Sequence, residues 1–177
     1  MSDQPLVSLI ALVAALLAML GEQRRSLRNE RALLERGAVE PAEDVYPMMR
    51  WTYPVAFVVM AIEGALIGPV PGVTTVVGAV VLLAAKALKF WAIRSLGPRW
   101  TFRVLVPPDA SRVSHGPYAW MNHPNYVAVV GELIGFAIVV GAWLTGPIAT
   151  TVFGLLLRQR IRVENAALRH PPRSTWT

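Results

Sequence analysis

The chain has 177 residues, the length of one domain, and it is 54% hydrophobic and only 16% charged. Soluble domains carry about 25% charged residues, so this composition favours a protein that lies in a lipid bilayer. The lack of cysteine excludes disulfides, thiolate metal sites and a cysteine nucleophile, and we predict no bound metal. The net charge of +6 would suit nucleic-acid binding in a soluble protein, but the position of the cations indicates another role.

Five apolar segments approach the length of about 20 residues that a membrane-spanning helix needs. No basic region precedes the first segment and no convincing cleavage site follows it, so we interpret it as a retained helix. Acids and bases alternate over residues 22–45, which predicts an amphipathic helix at the membrane surface that stops near Gly37 and Pro41. The last two segments are short, which favours tilted helices or a tight hairpin. The segments are residues 5–20, 51–67, 73–93, 126–140 and 144–157.

We therefore predict an all-α integral membrane protein with about five transmembrane helices in a single domain, residues 1–177. All Lys and Arg residues lie between the first two segments, near the end of the third or beyond it, or after the fifth. With five spans these positions share one face, which the positive-inside rule makes cytoplasmic. The N-terminus then lies outside and the C-terminus inside a membrane, which we expect to be the bacterial inner membrane. Because the charge is a topology signal, we predict no nucleic-acid partner, and no obligate protein partner is evident.

Two polar clusters lie on this predicted cytoplasmic face. One precedes the fourth helix and the other follows the fifth, so a helical hairpin would bring them together. Histidine and aromatic rings can line a flat ligand, and arginine can pair with a carboxylate through two hydrogen bonds. We therefore predict a ligand site with the active site at this face. Its candidate residues are His115, Tyr118, His123, Tyr126, Arg160, Arg162 and Glu164.

Two linked motifs carry a resemblance to a known family. Ser114-His-Gly-Pro-Tyr-Ala-Trp-Met-Asn-His-Pro-Asn-Tyr126 and Arg160-Ile-Arg-Val-Glu164, separated by a helix pair, resemble the isoprenylcysteine carboxyl methyltransferase family. They look most like its bacterial branch, some members of which O-methylate polyketide lipids such as alkylpyrones and alkylresorcinols. The resemblance covers about residues 96–168. It departs from the family pattern at Asn122, where a basic residue is usual, and at Asn165, where a second Glu is usual.

The resemblance implies S-adenosylmethionine as the methyl donor and a lipid-like hydroxyl or carboxylate as the acceptor, with membrane lipids around the protein. It divides the chain into three N-terminal helices, residues 1–93, and a cofactor-binding core with a helical hairpin, residues 94–170. It implies catalytic roles for His123, Arg160 and Glu164: Arg160 would orient a carboxylate acceptor, and His123 or Glu164 would deprotonate a hydroxyl. The cofactor-binding residues that it implies are His115, Gly116, Pro117, Tyr118, His123, Pro124, Tyr126, Arg160 and Glu164.

Two acids lie inside apolar segments, where a charge is expensive. Glu132 either faces the acceptor in a substrate pocket or pairs with a buried donor such as Lys86 or Lys89. We expect Glu63 to have a structural role.

Other interpretations stay open. His123 can simply begin the fourth helix ahead of Pro124, the aromatic residues can form an interfacial belt, and Arg160 and Glu164 can be a helix-surface pair. The rival functions are a nicotinamide-dependent membrane reductase of related fold and a non-enzymatic membrane scaffold or transport subunit.

Overall fold

A computed structural model describes residues 3–41, 45–68, 70–108 and 113–169. Five α-helices account for most of these residues, and the described part of the chain contains no β-strand, only one isolated bridge between Val39 and Val106. Two short 3-10 turns lie between the third and fourth helices, at Gly97–Arg99 and Gly116–Ala119. The all-α prediction is confirmed. The helices are α1 Gln4–Glu35, α2 Tyr46–Ile67, α3 Gly72–Leu96, α4 Pro124–Val140 and α5 Thr145–Arg169.

Two helices are longer than their apolar segments predict. α1 continues without a break through the charged stretch to Glu35, so the first apolar segment and the amphipathic stretch form a single helix of 32 residues. It ends beside Gly37, whose φ of 81° suits glycine, as the sequence indicates. α5 likewise continues to Arg169 and includes the second polar cluster. Neither polar stretch contains a proline that would stop the helix.

Three helices, α1, α2 and α3, are long and apolar enough to cross a membrane. α4 is also apolar but has only 17 residues. The structure therefore supports an integral membrane protein, while five spans and the side on which each end lies remain predictions. Many apolar side chains on α1 and α3 are exposed, as expected for helices whose solvent is lipid.

α3 and α4 pack closely because small residues line their interface. At Gly135 an added Cβ would lie 2.6 Å from the backbone nitrogen of Leu82, so only glycine allows this approach. The core beside this contact contains Phe57, Leu133 and Phe136. The interface fixes the position of α4 and, with it, the start of the predicted site.

Glu63 joins α2 to the beginning of α5. Its carboxylate accepts hydrogen bonds from the backbone nitrogens of Leu144 at 2.9 Å and Thr145 at 2.7 Å, and from the Thr145 hydroxyl. Backbone N–H groups at a helix start have no partner within the helix, so an acid there stabilises it. Glu63 therefore has a structural contact, in agreement with its expected role.

The segment of residues 97–107, which we call the strap, crosses the polar end of α1. Asn29 Nδ2 donates to the carbonyl oxygens of Trp100 at 2.7 Å and Gly97 at 3.1 Å. The backbone nitrogen of Phe102 donates to Ser26 Oγ at 2.7 Å, and the Val39–Val106 bridge holds the far end of the strap. The polar part of α1 is thus a support for the strap.

Candidate functional site

The loop before α4 is held in place by a close approach to α3. Gly116 has a φ of 62°, and an added Cβ would overlap the side chain of Ser95. This glycine begins the 3-10 turn Gly116–Ala119, and the buried Pro117 lies within that turn. α4 then starts at Pro124, directly after His123, a common position for proline because its missing N–H would be unpaired there. The loop therefore presents His123 at the first turn of α4.

The α4–α5 hairpin brings the two predicted polar clusters together. The Tyr126 hydroxyl donates to Glu164 Oε2 at 2.6 Å and accepts from Arg160 Nε at 3.0 Å. His123 Nδ1 lies 3.7 Å from Glu164 Oε2, and the His123 and Tyr126 rings stack with centroids 5.3 Å apart. We call His123, Tyr126, Arg160 and Glu164 the upper cluster.

Arg160 is only 5% exposed, so it is not a solvated helix-surface residue. One of its terminal nitrogens donates to the carbonyl oxygen of Phe102, which ties the upper cluster to the strap. A buried guanidinium is costly unless hydrogen-bonded partners surround it. The interpretation of Arg160 and Glu164 as an exposed i, i+4 pair is therefore wrong for Arg160.

A cavity of about 610 Å³ extends from the upper cluster into the helix bundle. This volume lies within the range of about 300–1,000 Å³ that is typical of small-molecule sites. Strap residues line one side of its polar end. Most of its remaining lining is apolar and comes from α1, α2, α4 and α5, through residues that include Leu16, Met19, Met49, Val129, Phe153 and Leu157.

Five of the predicted site residues line this cavity: Tyr118, His123, Tyr126, Arg160 and Glu164. The others do not. His115 and Arg162 are exposed, Gly116 shapes the loop, and Pro117 and Pro124 are buried. Asn122 and Asn165, the two departures from the family pattern, also line the cavity. The structure therefore divides the predicted set into lining residues, residues that shape the loop and two exposed residues.

The Tyr118 hydroxyl is a donor and not a base. Burial raises the pKa of Tyr118, and the negative charge of Glu164 raises this pKa further. Tyr118 stays protonated at neutral pH, so it can donate a hydrogen bond to a ligand in the cavity.

Glu132 is fully buried in a network of charged and polar side chains from four helices. Its Oε2 accepts from the Tyr53 hydroxyl at 2.5 Å, from Lys86 Nζ at 3.0 Å and from Lys89 Nζ at 3.3 Å. Glu22 completes the network, 3.2 Å from Lys86 and 2.6 Å from Lys89. Of the two alternatives for Glu132, the structure shows the pairing with Lys86 and Lys89, and its carboxylate does not line the cavity. The two lysines lie within the helix bundle, so they are not evidence for the topology.

Three parts of the site were not anticipated from the sequence. The strap, Asn125 and the group Glu22, Tyr53 and Lys89 all line the cavity. The sequence contained a sign of the strap, because Trp100 and Phe102 are large aromatic residues in a segment between two helices. In the structure their rings lie 5.2 Å apart in an edge-on contact. Glu22 was noted only as part of the alternating charges on α1.

Comparison with known proteins gives the family. The model of the isoprenylcysteine carboxyl methyltransferase family matches residues 76–170, more than half of the chain. The uncharacterized protein YpbQ of Bacillus subtilis is 33% identical over 141 residues, which are 80% of this chain and 84% of YpbQ. An uncharacterized protein of Haemophilus influenzae is 25% identical over 146 residues, 82% of this chain and 85% of its own length. No solved structure matches the chain. The matched region contains the loop before α4, the upper cluster and the whole α4–α5 hairpin, and the chain belongs to the isoprenylcysteine carboxyl methyltransferase family.

Proposed function

We propose that this protein uses S-adenosylmethionine to methylate an oxygen atom of a lipid-like acceptor at the cytoplasmic face of a membrane. Membership of the family indicates a membrane methyltransferase. The observation that carries the finer proposal is the form of the cavity, which joins a hydrogen-bonded polar cluster around the buried Arg160 to an apolar space between helices. The polar cluster suits a polar donor, and the apolar walls suit a hydrocarbon tail.

The residues of the upper cluster fit the chemical groups of this donor. The donor carries an adenine ring, ribose hydroxyls, an amino group and a carboxylate. The stacked rings of His123 and Tyr126 offer an aromatic wall, Glu164 offers an acceptor for hydroxyl or amine hydrogens, and Arg160 offers a fixed cation. When bound, the donor supplies a methyl group on a positively charged sulfur.

The protein contributes to methyl transfer mainly by holding the groups that bind the donor in fixed positions. Tyr126 and the Phe102 carbonyl hold the guanidinium of Arg160 in one orientation, and the hydroxyl of Tyr126 holds Glu164. Groups fixed before the ligand arrives lower the entropy cost of reaching a reactive geometry.

The lipid branch of the family fits the apolar arm of the cavity. An acceptor with a long hydrocarbon tail can place that tail against apolar lining residues such as Leu16, Met19 and Leu20 while its polar group stays inside the cavity. We place the upper cluster on the cytoplasmic side of the bacterial inner membrane, because the strap and the C-terminal part of α5 both carry arginines and meet at this cluster.

Binding of S-adenosylhomocysteine, the product form of the donor, tests this proposal. We expect isothermal titration calorimetry on the protein in lipid nanodiscs to show binding that Arg160→Ala and Glu164→Gln weaken strongly. Arg158→Ala is the matched control, because Arg158 is exposed on the same helix two residues earlier and should leave binding unchanged. Binding of NADPH without binding of S-adenosylhomocysteine would favour the reductase instead.

A further inference from the structure

The cavity has a second polar end, deeper in the bundle than the upper cluster. Glu22, Tyr53 and Lys89 line it, one side chain from each of α1, α2 and α3. Lys89 pairs with Glu132, which lies six residues beyond Tyr126 on α4. At about 1.5 Å per residue, this end lies roughly 9 Å below Tyr126 along the helix axis. We call Glu22, Tyr53 and Lys89 the deep polar group.

Ion pairing alone does not explain why this group faces the cavity. Lys86 makes the same pairs, with Glu22 and Glu132, without lining the cavity. Lys89 lines it although its side chain is only 4% exposed. Ionisable residues inside membrane helices are costly and usually mark a functional site.

We propose that the deep polar group binds the acceptor through a neutral hydroxyl. This inference rests on the proposed function, because it assigns the acceptor to the cavity that holds the donor. Each Glu22 oxygen has one lysine within 3.2 Å, whereas a carboxylate offers about four acceptor positions, so Glu22 can accept another hydrogen bond. A lysine ammonium has three donors, and Lys89 directs its pairs to two carboxylates, Glu22 and Glu132.

The charge balance favours a hydroxyl over a carboxylate. Two lysines and two glutamates form the network, so it holds no excess positive charge for a further anion. A carboxylate ligand would lie beside the negative Glu22 in a region of low dielectric, where like charges repel strongly. A hydroxyl can instead accept from Lys89 and donate to Glu22, which matches both groups.

The apolar tail of such an acceptor can lie against the apolar wall of the cavity toward the bilayer. Leu20 of α1 and Trp51 of α2 line the cavity and are 50% and 66% exposed, so apolar parts of its wall reach the outer surface of the bundle. Such a surface suits a hydrocarbon tail more than water.

The same arrangement of residues suggests which group takes the proton that the acceptor hydroxyl releases. In O-methylation the O–H bond of the acceptor breaks and an O–CH₃ bond forms. The released proton would pass to the Glu22 carboxylate, and the bound donor would supply the methyl group and keep the electron pair of its carbon–sulfur bond. Lys89 would lie beside the oxygen while negative charge develops there. The inference therefore gives the role of proton acceptor to Glu22 and not to His123 or Glu164.

Two probes with the same tail test this inference: para-dodecylphenol and para-dodecylbenzoate. We expect wild-type protein in nanodiscs to bind the phenol more tightly than the benzoate, with empty nanodiscs correcting for partition into lipid. Lys89→Met should weaken binding of the phenol about tenfold or more, as expected for a lost hydrogen bond to a charged group. Lys86→Met is the matched control, since it removes the same charge from the same two carboxylates outside the cavity wall, and its effect should stay within about twofold.

Equal effects of Lys89→Met and Lys86→Met would overturn the inference, as would benzoate binding at least as tight as phenol binding. If Lys89→Met does not fold, the comparison of the two probes on wild-type protein decides alone. Binding of S-adenosylhomocysteine separates the two proposals. If the protein does not bind S-adenosylhomocysteine, the proposed function fails. If it binds S-adenosylhomocysteine but does not prefer the phenol to the benzoate, only the deep hydroxyl site is rejected.

Discussion

Replacing Tyr126 with phenylalanine removes one oxygen from the centre of the upper cluster. That oxygen makes two hydrogen bonds to charged partners, at 2.6 Å to Glu164 and 3.0 Å to Arg160. Hydrogen bonds to charged groups contribute about 1.5–3 kcal/mol each. The Glu164 side chain is 32% exposed, so water can replace its bond, whereas Arg160 is buried and loses an acceptor.

We therefore expect a cost of about 1–3 kcal/mol, with most of it from Arg160, which corresponds to roughly 5- to 150-fold weaker binding of S-adenosylhomocysteine. Calorimetry on Tyr126→Phe measures the affinity, and thermal unfolding measures how much of the cost appears as lost stability. A double-mutant cycle with Glu164→Gln should show non-additive effects, because the two residues share a hydrogen bond. Unchanged affinity and stability, or strictly additive effects, would refute the assignment of Tyr126 as the link between Arg160 and Glu164.

Four further predictions address the supports of the site. Gly135→Ala should destabilise the fold strongly because its Cβ meets the Leu82 backbone, while Gly154→Ala, at a helical glycine with open space around it, should not lower the thermal midpoint. Glu63→Ala should cost about 0.5–2 kcal/mol in unfolding free energy by removing the acceptor at the start of α5; unchanged unfolding would contradict that contact. Glu132→Ala leaves the buried Lys89 and the half-buried Lys86 short of a partner and should cost about 3–5 kcal/mol, measured by unfolding in a denaturing detergent; a small loss would mean that water reaches the network. Because the pKa of Tyr118 is raised, Tyr118→Phe should leave the alkaline limb of the pH–rate profile between pH ~7 and ~9 unchanged, and a shifted limb would assign that ionisation to Tyr118.

Local patterns predicted much of the fold, and the resemblance much of the site. Hydrophobic segments located all five helices, and the short connection at residues 141–143 correctly implied a hairpin that joins Tyr126 to Glu164. The apolar segments underestimated the lengths of α1 and α5. Hydropathy indicates whether a helix lies in lipid or in water, but it does not show where the helix ends. Glu30 on α1 and Arg160 on α5 are polar yet buried, held by contacts that no local pattern contains.

The deep polar group depended on tertiary packing. Glu22 lies far from Lys89 and Glu132 in the chain, and only the tertiary arrangement of α1, α3 and α4 brings their charges within 3.3 Å. The strap is similar, since its hydrogen bonds to Ser26 and Asn29 join residues about 70 positions apart. Spacing predicts neighbours along one helix, but it cannot show which face of another helix they meet.

The central claim is that the upper cluster serves methyl transfer to a lipid. The most direct measurement incubates bacterial membranes that contain the protein with S-adenosylmethionine labelled in its methyl group and separates the lipids. We predict one labelled lipid in membranes with the wild-type or Arg158→Ala protein, and little or none with Glu164→Gln or Arg160→Ala at equal protein levels. Equal labelling in all four samples, or no labelled lipid with the wild-type protein in membranes that supply the acceptor, would contradict the account.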